Sequence, residues 1–285
     1  MIRAAALVAA LCLPLCAAGA APLRVVSTNL CTDQLAMLLA APGQLVSVSG
    51  LAADPHSSAM AEAARAYPRN DARAEEIYLL APDLVVSGSY TARETMQILE
   101  DLGIPVMRFS PATSLADVPA RIAQMGAALH REAEAQAVID EFNARLAALR
   151  AEAEAEIAAS GAPRPRAALY YPNGYTTGSS TLAGDILEAA GFGNVAAEIG
   201  VAGGGFVPLE AMVIADPDAL ITSGPHPGAS RAEELLIHPA LTTLRGGAAS
   251  ATMSDRDWLC GTPAVLEAIA ALGDTRRAVL NGAAQ

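Results

Sequence analysis

The chain contains no lysine. Its 18 basic residues are all arginine, against 30 aspartates and glutamates, and the formal net charge is −12. A surface of that sign repels phosphate backbones and anionic lipid headgroups, which excludes nucleic acid as a partner. Histidines number only four. A bare Zn²⁺ or Mn²⁺ site needs several histidines and a carboxylate on one ion, and only His56 and His226 with Asp54 or Asp255 are left to supply it. Beyond the first 22 residues no stretch approaches the ~20 uninterrupted apolar residues of a spanning helix. There is no P-loop and no G-x-S-x-G elbow. "GFGNVA", Gly191 to Ala196, imitates a dinucleotide fingerprint but follows a helix instead of a strand, so its glycines read as a helix C-cap. Ser179 and Ser180 have no histidine near them in sequence and are expected to cap the following helix or touch a ligand. A secreted hydrolase is therefore a remote alternative, and no residue is assigned a catalytic role.

What is present begins with "MIRAAALVAALCLPLCAAGAAP". One arginine, an apolar run too short to span a bilayer, and the small residues Ala18 and Ala20 make the pattern of a cleavable secretory signal. Residues 1–20 are expected to be that signal, and the mature protein to be exported. Lipidation at Cys16 is disfavoured by the bulk of Leu15 before it. Cys12 and Cys16 leave with the leader, while Cys31 and Cys260 stay in a compartment where disulfides persist.

After the leader, strands and helices alternate, which implies parallel sheet with covered faces. "LRVVSTN" and "QLVSVSG" read as strands around the helix "TDQLAMLLAA". From Ser114 to about Ser160 the pattern becomes alanine-rich and helical, with Asp117 placed to cap its start and Pro119 in the first turn. Ala135, Val138, Ile139, Phe142, Leu146 and Leu149 recur at three- and four-residue spacing. A helix from about Glu132 to Ala159 would run ~40 Å. "GAPRPR" breaks it, and alternation resumes through "AALYYPNG", the helix "TLAGDILEAAG", a short helix at "RAEELL" and a last helix from "TPAVLEAIAAL". The expected divisions are a first α/β lobe at 21–115, linking helices at 116–162 and a second lobe at 163–285.

One segment is written twice: "EEIYLLAPDLVVSG" from Glu75 and "LEAMVIADPDALITSG" from Leu209. In each, a glutamate lies seven residues ahead of a Pro-Asp pair and an apolar strand ends in Ser-Gly. With "VVSTN" opening the first lobe, this pair resembles the periplasmic substrate-binding proteins of ABC importers for iron-siderophores, haem and cobalamin, over roughly Arg24 to Leu280. The resemblance implies an α/β fold of two Rossmann-like lobes joined by a single long α-helix, with the ligand cleft between them. It implies a periplasmic, monomeric carrier with no catalytic activity, no resident cofactor and no metal bound directly to the chain. Its partners would be a small metal chelate and an inner-membrane ABC permease with its ATPase. It further implies that Glu75 and Glu210 dock the two lobes onto arginine pockets of the permease, a two-point, charge-assisted contact.

Ligands in such lobes sit beyond the carboxyl ends of the strands. The candidate ligand-binding residues are accordingly Asn29, His56, Tyr90 and Arg93 in the first lobe, and Tyr171, Tyr175, Phe206, His226 and Trp258 in the second, with Phe206 following a glycine run read as flexible. Aromatics with few polar groups suit a flat, partly apolar ligand. Only Arg93, Arg108 and Arg256 are available for an anionic siderophore, and haem would call for Tyr90 or His226 as axial ligand. The expected cargo is cobalamin or a ferric siderophore, ahead of haem. Cys31 and Cys260 are open to three readings, a disulfide between the lobes, two free thiols in the cleft, or ligand-binding thiolates, and the disulfide is the expected one.

Overall fold

A computed structural model of the chain describes residues 23–224, 236, 238–241 and 249–283. The leader, His226 and all of "RAEELL" but Leu236 lie outside the described residues. The first lobe runs β1 (Val25–Ser27), α1 (Leu30–Leu39), β2 (Leu45–Ser49), α2 (Ala61–Ala64), β3 (Arg69–Asn70), α3 (Ala74–Leu79), β4 (Leu84–Gly88), α4 (Arg93–Asp101) and β5 (Val106–Phe109). Its five strands are all parallel, in the order β3-β2-β1-β4-β5. The β4 run Leu-Val-Val-Ser-Gly is buried along its whole length, as a parallel strand covered on both faces requires.

Two helices cross to the second lobe, α5 (Asp117–Leu129) and α6 (Glu132–Ser160). At 29 residues, α6 is about 43 Å long. Its buried residues Ala135, Ile139, Phe142, Leu146, Leu149 and Ala153 form the stripe that the three-and-four spacing predicts, and Gly161 ends it with φ 67°. Asp117 does not cap α5. Its carboxylate turns back to accept the Thr113 and Ser114 N–H groups at 2.8 and 3.0 Å, so it orders the loop before the helix instead.

The second lobe contains β6 (Arg166–Leu169), β7 (Tyr175–Thr177), α7 (Leu182–Ala189), β8 (Gly193–Asn194), α8 (Val195–Glu198), β9 (Gly204–Phe206), α9 (Leu209–Ala215), β10 (Ala219–Ser223) and β11 (Ala249–Met253), then a short helix Asp255–Trp258 and a C-terminal helix Val265–Ala283. The order β11-β10-β6-β8 is again parallel. One expectation fails here: the glycine run is no flexible loop. Its last two glycines and Phe206 make β9, antiparallel to β7 with Tyr175 opposite Phe206. A Cβ on Gly204 would meet the Tyr175 hydroxyl at 2.1 Å. The glycine is there so that the ring can cross the neighbouring strand.

The C-terminal helix packs along α6. Arg276 is buried between them, donating to Glu156 at 2.6 Å and to the Ala190 carbonyl. This pair and Arg277 hold the Glu156 carboxyl below its ordinary range, chiefly through the Arg276 hydrogen bond.

Candidate functional site

The duplicated segment folds the same way twice. Glu75 and Glu210 each stand exposed in the first turn of a short helix, α3 and α9. One turn on, Leu79 is 82% exposed and Ile214 83%. Each helix ends in a residue of positive φ, Ala81 and Asp216, both at 45°. An arginine then closes each end. Arg24 donates its backbone N–H to Asp83 at 2.8 Å and its guanidinium to the carbonyls of Ala81 and Leu80 at 3.1 and 2.7 Å. Arg166 donates its N–H to Asp218 at 2.7 Å and its guanidinium to the carbonyls of Asp216 and Ala215 at 3.2 and 3.1 Å. The aspartate of each Pro-Asp pair therefore ties the entry of the lobe's first strand to the end of the glutamate helix. The arginine supplies the positive charge that a helix C-terminus favours. Sequence reasoning missed both arginines, although each sits at the start of a lobe's first strand.

At the carboxyl ends of β1, β4 and β5 lies a cavity of ≈ 320 Å³, lined among others by Asn29, Cys31, Leu51, Tyr90, Phe109 and, from the second lobe, Leu259. Asn29 is already engaged: its side-chain oxygen accepts the Cys31 N–H at 3.0 Å and caps α1. Tyr90 is 89% exposed at the rim. His56 is exposed in a turn that Asp54 organises, and Arg93 is exposed at the start of α4. Neither lines this cavity. Arg108 is committed to Glu100 at 2.6 Å and Arg256 to Asp257 at 3.2 Å.

The second lobe contributes an aromatic row. Trp258 stacks on Tyr171 with centroids 5.3 Å apart and planes 14° apart, Tyr171 lies 6.3 Å from Tyr175, and Tyr175 meets Phe206 edge-on at 5.4 Å. Phe206, at the free end, is 72% exposed. Tyr171 is buried, and burial pushes its phenol well up, outweighing the nearby Thr177 hydroxyl. The Tyr171 Oη, Thr177 Oγ1 and Trp258 Nε1 atoms are buried without a well-aligned hydrogen bond to the protein. Four aromatic rings run in series from the stacked Trp258–Tyr171 pair to the exposed edge-on Phe206, an apolar row with buried polar atoms at its inner end. The serines do not cap α7: Thr181 does so through the Gly184 N–H, and Ser180 donates to the Ala202 carbonyl at 2.6 Å.

Cys31 and Cys260 are joined by a disulfide, with Cα atoms 5.2 Å apart. The first helices of the two lobes also match: "STNLCTDQL" from Ser27 corresponds to "SSTLAGDIL" from Ser179, each with a cap and an aspartate four residues after it. Asp33 turns inward, accepting the Ser49 hydroxyl at 2.5 Å and N–H at 3.1 Å. Burial raises its pKa to about 6, more than the hydrogen bonds from Ser27 and Ser49 lower it. Asp185 instead reaches the segment just ahead of α5, accepting the Leu115 N–H at 2.7 Å. Among the described residues no three His, Cys, Asp or Glu side chains are grouped to hold a metal.

A family model for periplasmic binding proteins matches residues 25–249. The cobalamin-binding protein of Halobacterium salinarum is 33% identical over 150 residues, 52% of this chain and 39% of that protein, so the likeness spans well under half of the relative's length. Among solved structures, the periplasmic haem-binding protein RhuT of Roseiflexus sp. RS-1 superposes with a TM-score of 0.71 at 22% identity, covering 90% of this chain and 100% of that one. The vitamin B12 binding protein BtuF of Vibrio cholerae does so at 0.64 and 17%, covering 90% and 98%. Likeness at that identity establishes the two-lobed fold.

Proposed function

The chain belongs to the periplasmic binding protein family, and we propose that it captures a cobalamin-type corrinoid in the cleft and presents it to an ABC importer. The observation that carries the cargo is the aromatic row Trp258–Tyr171–Tyr175–Phe206, whose first ring is next in sequence to Leu259, a residue of the first-lobe cavity that has Arg121 as its one lining cation among the described residues. Arg108 and Arg256 are spent on carboxylates, which weakens the case for a strongly anionic siderophore. The Halobacterium salinarum relative supports the same reading. Family members deliver ligands to ABC importers, and Glu75 and Glu210 are the carboxylates proposed to dock here. The exposed Leu79 and Ile214 would add an apolar contact one turn beyond each.

A haem reading is favoured by one specific feature, the 89% exposed Tyr90 at the cavity rim, which could serve as an axial ligand. Titration of the exported form with cyanocobalamin, haemin and ferric hydroxamates separates the readings, because the single tryptophan stacks in the proposed site. The expected result is saturable quenching of Trp258 by cyanocobalamin at the lowest concentration of the three. A haemin complex with a tyrosinate-type absorption spectrum, lost in Tyr90→Phe, would replace corrinoid by haem.

A further inference from the structure

We infer that the Cys31–Cys260 disulfide is a positioning element of the ligand site: it ties the Trp258–Leu259 segment to α1 of the opposite lobe and so sets the gap across which ligand is held. The inference rests on the cleft being the binding site, whichever chelate occupies it. Cys31 is the second residue of α1, half-buried, and lines the first-lobe cavity. Cys260 is 3% exposed. On one side of it Leu259 lines that same cavity, and two residues before it Trp258 begins the aromatic row. On the other side, a Cβ on Gly261 would fall 2.2 Å from the Ala112 Cβ of the first lobe. The second-lobe segment is thus pressed against the first lobe on both flanks of the sulfur bridge.

The segment has little freedom of its own. The Leu259 N–H donates to the Asp255 carbonyl at 2.9 Å and the Thr262 N–H to the Cys260 carbonyl at 2.8 Å. An unbroken rigid path therefore runs from α1 through the sulfurs to Trp258, Tyr171, Tyr175 and Phe206. Separating the lobes at this edge requires either breaking that path or breaking the bridge. With the bridge in place, the two walls are fixed before ligand arrives, and less ordering is left to oppose binding. Reduction would leave the same side chains in the same sequence while freeing the wall on which the ligand stacks.

The sole tryptophan makes this measurable without knowing the cargo. Acrylamide quenching of Trp258 would be compared, well below each form's melting temperature, in the oxidised protein, the reduced protein, C31S/C260S, and reduced protein whose thiols are re-bridged by a methylene group. Breaking the bridge is expected to raise the apo quenching constant at least twofold and weaken cyanocobalamin binding about tenfold, mainly through faster dissociation. Re-bridging is expected to restore both. If reduction lowers the melting temperature but leaves Trp258 accessibility unchanged, the bridge is only a brace and the inference falls. If accessibility rises but no cyanocobalamin binds to any form, the positioning role stands and the corrinoid reading falls. The reduced wild-type protein keeps the test open should the double variant fail to fold.

Discussion

The two lobes share a frame and differ in what the frame carries. Arg24 with Asp83 and Arg166 with Asp218 make the same closure of the same helix, to within a few tenths of an ångström in corresponding hydrogen bonds. Asn29 and Thr181 cap the corresponding first helices. The cleft walls, by contrast, have nothing in common: one lobe offers a mainly apolar cavity with an exposed tyrosine at its rim, the other an aromatic row that ends on the extra β7–β9 strand pair. Duplication is kept at the exposed glutamate helices, where the proposed docking would use a similar surface on each lobe, and abandoned at the cleft walls. Cys31 shows the divergence within one helix, because Ala183 stands in its place in the second lobe.

The largest expected difference between the lobes concerns the paired aspartates. Asp33 has a folded pKa of about 6 against an ordinary 3.8. The fold therefore favours its neutral form: the stability it contributes is complete below pH 3.8 and is lost as pH rises through 6. The full span is worth roughly 3 kcal/mol. In urea unfolding at pH 7.5 and 4.5, the wild type should gain about 2 kcal/mol relative to Asp33→Asn on acidification. An unchanged difference would show that Asp33 is ionised in the fold without cost. Asp185→Asn is the matching variant, and its effect should trace to the lost Leu115 contact.

Next in size is the asymmetry of the cleft. Trp258→Ala should weaken cyanocobalamin binding by about 2 kcal/mol and Tyr90→Ala by about 1, measured calorimetrically. The reverse order would move the binding energy to the first lobe. The arginine closures come third. Removing charged donors should cost about 1.5 kcal/mol for Arg166→Ala and about 1 for Arg24→Ala. The second-lobe arginine is the more costly because it also holds Glu198 at 2.7 Å; equal losses would mean that this pair adds nothing, as exposed ion pairs often do. The smallest effect on stability belongs to Leu79→Ser with Ile214→Ser, within about 0.5 kcal/mol for exposed positions. Uptake of cyanocobalamin by cells that depend on this protein should nevertheless fall, with affinity unchanged. Undiminished uptake would confine docking to the glutamates.

Much of the frame was legible in the sequence because it is written in periodicity. The alternation of elements, the stripe of α6 and the twin Glu…Pro-Asp segments each follow from spacing alone. The arginine closures were not, since an arginine beside a strand looks like any solvated charge until the helix end it serves is in place. The β7–β9 pairing was lost for a similar reason: consecutive glycines read as slack, and only the Tyr175 ring lying over Gly204 explains why the chain there is extended. The cleft was partly legible. Post-strand position picked out Tyr90, which lines the first-lobe cavity, and Tyr171, Tyr175, Phe206 and Trp258, which form the aromatic row, together with His56 and Arg93, which belong to neither. No local pattern distinguishes a loop that turns toward the cleft from one that turns away.

The bridge between Cys31 and Cys260 spans a sequence separation of 229 residues, which turns nearly the whole described chain into a covalent ring. The C-terminal helix hangs outside it at one end, and β1 with the start of α1 at the other. A ring of that size removes about 5 kcal/mol of conformational freedom from the unfolded chain on the chain-entropy account. It also imposes an order of events. In a chain that crosses a membrane amino end first, one sulfur arrives almost at once and the other nearly last. The first lobe must then wait with an unpaired thiol at the head of α1 until the rest of the molecule has followed. Half-burial of Cys31 leaves that thiol within reach of an oxidant during the wait.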